Sequence, residues 1–214
     1  MFYEPINSKI LRLGDVVKGY LSTETKIKQP FLSIENSIYH NYTVNFEVPS
    51  FSVVLTPCCS IGEYNMICIS PLIKLKKDFF KNPYLVDDFT CINREIEPDK
   101  AYAPDDWQKI PTEEQQKKLT GGKVYIEYYL FIYAPNDYFP PYELRGQQTQ
   151  FYMIDFRNIQ TLRCDLIKSR ERTSEEDTNI LASKCLQLSI QTREELRMKL
   201  AHYFGRRPDE DEME

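Results

Sequence analysis

A hydroxyl and two thiols stand together in Thr56-Pro57-Cys58-Cys59-Ser60. They follow directly on the short apolar run Ser52-Val-Val-Leu-Thr56. A loop that opens at a strand end is where rigid scaffolds tend to display functional side chains. A nucleophilic thiol there needs a neighbouring base and a lowered pKa. Neither His40 nor His202 lies within this strand and loop, so the spacing supplies no base. Cys58 and Cys59 therefore read first as packing residues at a strand end. Thr56, Cys58 and Cys59 are retained as candidate binding residues, and a thiol-dependent enzyme or redox sensor is the least favoured of three readings.

The second group with chemical potential is basic. Residues 157–207 hold 11 basic and 7 acidic side chains, whereas residues 1–156 hold 16 basic and 20 acidic ones. Five acids crowd the tail from Pro208 to Glu214. A basic segment followed by an acidic tail suits either a polyanion-binding face or a solvated helix with a disordered end. The candidate binding residues in this segment are Arg170, Arg172, Arg193, Arg197, Arg206 and Arg207. Arg163, Lys168, Arg170 and Arg172, near Tyr152 and Phe156, form a pattern that could hold phosphate.

Much familiar chemistry is missing. The six cysteines include no C-x-x-C pair, and both histidines stand apart from them, so a zinc site is not expected. There is no Gly-rich phosphate loop, H-E-x-x-H, G-x-S-x-G or Asp-rich metal loop. No cofactor and no metal are expected. No stretch approaches the roughly 18–20 apolar residues that span a bilayer. The start MFYEPINSKI lacks a charged-then-apolar leader, so a cytoplasmic protein without membrane attachment is expected.

The elements that must position these residues are mostly strands. Fifteen Tyr and twelve Phe supply much of the packing volume. Gly14-Asp15 marks a turn, after which Val16-Val17 opens a β-branched strand. Strands are expected over 52–56, 66–70 (closed by Pro71), 124–133, 150–156 and 159–167. Residues 22–49 fit either a hairpin or a long loop. Thr112-Glu-Glu-Gln115 has capping-box spacing for a short helix that stops at Gly121-Gly122. Ser174-Glu-Glu-Asp177 puts acids in a first helical turn, and Thr192-Arg-Glu-Glu195 is a second capping box. Beyond it Leu196, Leu200, Tyr203 and Phe204 fall on one helix face. That spacing predicts that Leu196, Leu200 and Phe204 are buried, with Arg197 and Arg206 turned outward.

Three pieces, Leu13-Gly-Asp-Val-Val17, Ser52-Val-Val-Leu-Thr56 and Ile67-Cys-Ile-Ser-Pro71, occur in an order that resembles the small SH3-type barrel of the MazF/PemK toxin superfamily. The resemblance covers about residues 10–73. It implies a metal-independent endoribonuclease that uses an Arg before the β-branched run and a Ser or Thr at its end. It also implies a setting in bacterial toxin–antitoxin or defence systems. Thr56 matches the second position, but Tyr42 to Ser50 contain neither Arg nor Lys for the first. A cation against the developing phosphorane charge is typically worth several kcal/mol. Lys74 and Arg157 are the candidates to replace it.

The resulting expectation is a mainly β chain with some α, built as a strongly bent antiparallel sheet or small SH3-like barrel. Barrel elements are placed at about 10–73 and 123–168, an insertion at about 74–122, and C-terminal helices at about 174–205. Residues 208–214 are expected to be a disordered acidic tail. The favoured function is a non-catalytic interaction module that binds a protein partner, or nucleic acid through residues 157–207. The alternative is a MazF-type ribonuclease centred on Thr56. The oligomeric state is left open.

Overall fold

The computed structural model describes residues 1–6, 11–18, 22–27, 42–47, 51–61, 66–76, 93, 100–125, 129–164, 167–168 and 182–205. In chain order the strands begin with β1 (Tyr3–Glu4), β2 (Val16–Lys18), β3 (Ser22–Ile27), β4 (Tyr42–Glu47), β5 (Phe51–Val54) and β6 (Met66–Lys74). Next come β7 (Ala101–Tyr102), helices α1 (Pro104–Lys109) and α2 (Thr112–Thr120), then β8 (Val124–Tyr125) and β9 (Leu130–Tyr133). The remainder is β10 (Tyr142–Leu144), β11 (Gln147–Thr149), β12 (Tyr152–Asp155), β13 (Gln160–Arg163), β14 (Ile167–Lys168), β15 (Ala182–Leu188) and helix α3 (Ile190–Phe204).

One sheet organises the chain, in the strand order β1-β15-β2-β5-β6-β12-β9, with β13 also on β6 and β14 on β15. Every pairing along that path is antiparallel. Its two ends, β1 and β9, come back together through side chains. Phe2 stacks on Phe131 and Tyr133 at 6.3 and 5.8 Å, and the Tyr3 hydroxyl donates to the Ala134 carbonyl at 2.5 Å. The sheet is thus a strongly curled half-barrel. Alternation sends Val16, Val53, Leu72 and Ile154 into its concave core with Phe131, Tyr133, Phe139 and Phe156. The opposite face buries Val17, Val54, Ile67, Ile69 and Leu162 in a second cluster.

The expected strands are present, with the following corrections. Residues 124–133 are two strands, β8 and β9, rather than one, and β12 occupies only the middle of 150–156. Pro71 does not close β6, which runs on to Lys74. Pro71 stands where β6 changes partner, β13 ending at Ile69 and β12 beginning at Leu72, so the ladder on that edge is already interrupted. A residue without an N–H is tolerated at such a gap. Finally, 174–205 is not helical throughout. Ala182–Leu188 is a strand paired with β1 and β2, and residues 174–181 lie outside the described ones.

Both helix starts are also corrected. Thr112 is the first residue of α2, and Pro111 holds the cap position with φ −56. Its carbonyl receives the Glu114 and Gln115 N–H groups, and its lacking N–H is one a helix start has no use for. Thr192 does not cap α3. Ser189, emerging from β15, does, accepting the Thr192 N–H at 3.3 Å. The cap comes from the residue at which the strand hands over to the helix.

Packing against the core holds α3. Leu196 is fully buried, Leu200 and Tyr203 are partly buried against the concave cluster, and Tyr203 meets the Phe156 ring at 5.7 Å. Gly14 makes this approach possible. It has φ +84, and a Cβ there would collide with the Leu188 side chain and press on Leu196.

Candidate functional site

At the strand end, Thr56 closes the β5–β6 ladder. The Leu55 N–H donates to the Cys68 carbonyl at 2.8 Å, and the Cys68 N–H donates to the Thr56 hydroxyl oxygen at 2.7 Å. The hydroxyl replaces a backbone carbonyl just where Pro57 ends the strand. A 3-10 turn at Cys58–Ser60 follows, held by the Ser60 N–H on the Pro57 carbonyl. Cys59 is exposed and free, with its sulfur 3.9 Å from the Ser60 hydroxyl. The side chain of Cys58 lies outside the described features.

No hydrogen bond or ion pair joins Thr56 to a cation among the described residues. Lys74 lies six positions along β6 from Cys68, about 20 Å at roughly 3.3 Å per residue. Its ammonium sits over the Tyr142 ring at 5.4 Å. Arg157 is also committed elsewhere. Its Nε and Nη2 grip the two Asp155 carboxylate oxygens at 2.9 and 2.7 Å, and its guanidinium lies 3.9 Å from the Tyr129 ring centroid. Lys76 adds a further contact to Asp155 at 3.2 Å. Burial alone would raise the Asp155 carboxyl. The Arg157 bonds and Lys76 outweigh it and hold that carboxyl below its ordinary range.

The basic set is divided. Arg170, Arg172, Arg206 and Arg207 lie outside the described residues. Arg193 is turned inward. Its Nη2 donates to Glu4 at 3.1 Å and to the Leu188 carbonyl at 2.9 Å. Position 193 follows the β15 edge, and pairing of β1 to β15 brings Glu4 beside it. Arg197 is exposed as expected, paired with Glu194 one turn earlier at 2.8 Å.

Among the described residues, one fully buried ion pair is a feature the sequence did not single out. Lys184 on β15 and Asp15 before β2 form an ion pair of 2.7 Å with both side chains fully shielded. Lys184 also donates to the Gln187 side-chain oxygen at 2.7 Å, and Gln187 in turn donates to Glu4 at 2.5 Å. Burial pushes the Asp15 carboxyl up and the Lys184 amine down, each partly offset by the other's charge. Asp15 Oδ1 has no partner. This network ties β1, β2 and β15 together, and its Asp15–Lys184 pair is closed to solvent. The one available signal was a lysine in the otherwise uncharged run Ala182–Leu188.

One accessible feature among the described residues is the outward side of α3. Ile190, Met198 and Phe204 are 66%, 52% and 64% exposed. Exposure of Phe204 corrects the expected apolar stripe. At about 100° per residue Phe204 falls about 80° around the helix from Leu196, on the rim rather than the buried line. Ala201 is exposed between them, and the Glu194–Arg197 pair sits in the middle of this face. These three exposed apolar residues spread over about 120° of the 15-residue helix.

Among the described residues no three His, Cys, Asp or Glu side chains gather as metal ligands, and no helix is long and apolar enough to cross a membrane. No protein-family model, curated protein or solved structure matches the chain significantly.

Proposed function

We propose that this chain is a non-catalytic interaction module, built on a degenerate toxin-type barrel, whose α3 presents its outward side to a protein partner. The observation that carries this reading is the exposure of Ile190, Met198 and Phe204 on a helix whose other side is anchored by buried Leu196. A helix that lays apolar side chains on both a core and a second surface suits helix-in-groove or helix-on-helix recognition. Charge favours protein over nucleic acid at this surface. Arg193 is taken up by Glu4 and Arg197 by Glu194, which leaves neither as an unpaired phosphate contact. The strand-end loop supports the same reading. The Thr56 oxygen already serves the sheet as an acceptor, and no described cation stands beside it to stabilise a phosphorane.

A photo-crosslinking residue at position 198, compared with one at exposed Gln116 on α2, tests this in the cell of origin. A protein adduct from position 198 and none from position 116 is the expected result. An RNA adduct, or no adduct from position 198, overturns the reading.

A further inference from the structure

We infer that the occupant of the outward α3 face is a second copy of this chain, with the two helices packed antiparallel about a two-fold axis. The inference rests on the interaction-module reading and names its partner. A two-fold interface brings one patch against itself, so the patch must be self-complementary. The α3 face meets that requirement in charge. Glu194 and Arg197 lie three positions apart near its middle and are the charged pair of the exposed side. An antiparallel neighbour whose positions sum to 391 sets Glu194 against the partner's Arg197 and Arg197 against the partner's Glu194. Two cross-subunit ion pairs form from residues that each already have an opposite charge beside them.

The apolar residues follow the same alignment. Ile190 falls opposite the partner's Ala201, and small Ala201 lets the backbones approach. Phe204 reaches the groove beside the partner's Ile190, and this contact occurs twice. Like-charged residues are thereby kept apart, and exposed Ile190 and Phe204 gain cover, with Met198 on the flank of the contact. Helices that pack through small residues and interdigitating ridges reach interaxial distances of about 8–10 Å.

The size of the face sets the strength. Fifteen helical residues span about 22 Å, and one such helix pair buries less than the roughly 1,200 Å² of a standard stable interface. The dimer should therefore be reversible, with a dissociation constant in the micromolar range.

Charge exchange gives the test. Glu194 and Arg197 are exposed, so Glu194→Arg and Arg197→Glu should leave folding intact, which circular dichroism checks. In a homodimer of either variant both cross-subunit pairs become repulsive. A mixture of the two restores both pairs in the heterodimer. Sedimentation velocity from about 1 to about 300 µM should show a monomer–dimer equilibrium for the natural chain. Association should weaken about tenfold or more for each variant alone, and a 1:1 mixture should recover the natural behaviour. A natural chain that stays monomeric throughout, or a dimer indifferent to both variants, overturns the inference. Crosslinking at position 198 separates the two levels: an adduct with a different protein sinks the self-association and spares the module, whereas no adduct sinks both.

Discussion

Replacing Lys184 with Met probes a fully buried ion pair of the fold. The Lys184 amine is fully buried, 2.7 Å from Asp15 and 2.7 Å from the Gln187 oxygen. Met keeps most of the volume and removes the charge and both contacts. Asp15 then keeps the Arg12 N–H at 2.7 Å on Oδ2, while Oδ1 stays unpartnered. Breaking a buried pair in this way costs about 3–5 kcal/mol. In a chain of this length that lowers the melting temperature by roughly 6–20 °C. The sign of the pH dependence follows from Asp15, whose carboxyl burial already raises. A raised folded-state pKa gives stability that is full below the unfolded value, near pH 4, and lost as pH rises through the folded value. The Lys184→Met variant should thus lie nearest the natural chain at about pH 4 and fall furthest behind at about pH 8. Combining it with Asp15→Leu should recover most of the loss, because an apolar replacement of a buried ion pair is often neutral. Thermal and urea unfolding followed by circular dichroism measure all of this. A single variant within about 0.5 kcal/mol of the natural chain, or a deficit that grows toward low pH, refutes the reasoning.

Leu196→Ala should cost about 2–5 kcal/mol, and Leu200→Ala, which loses only a half-buried contact, distinctly less; equal losses in urea unfolding would contradict the packing of α3. Thr56→Val removes the acceptor of the Cys68 N–H and should destabilise by about 1–3 kcal/mol, whereas an unchanged urea midpoint would deny Thr56 its place in the ladder. Asp155→Asn should flatten the acid limb of the stability curve. The depressed Asp155 pKa contributes stability above the unfolded carboxylate value that is lost as pH falls through the folded one. The effect should be modest because Arg157 and Lys76 are half exposed, and unchanged acid unfolding would show that their bonds do not bias the carboxyl.

What could be read from the chain followed the strength of local pattern. The runs around Val53, Ile69, Ile132 and Met153 are β-branched or aromatic, and each lies in a strand buried on both faces of the sheet. Ala182–Leu188 contains no β-branched or aromatic residue, so its strand was not visible. Pairing with β1 and β2, more than 160 positions away, decides its conformation. Lys184 and Gln187 are buried for the same non-local reason, since their partners Asp15 and Glu4 stand at the other end of the chain. Helical spacing found α3 but misjudged its faces, because Phe204 satisfies an i+8 relation to Leu196 while sitting past the edge of the core. The hydroxyl at Thr56 was located correctly at a strand end. Its use as a ladder acceptor depends on how β6 aligns with β5, which spacing alone does not specify.

The central claim is that the outward side of α3, rather than the loop after Thr56, is the working surface. Crosslinking from position 198 in chains carrying either Phe204→Asp or Thr56→Val tests it most directly. Phe204 is largely exposed, so Asp there should change stability by no more than about 0.5 kcal/mol while placing a charge in the contact. The account predicts that the protein adduct disappears with Phe204→Asp and persists with Thr56→Val. An adduct that survives Phe204→Asp and disappears with Thr56→Val would contradict it.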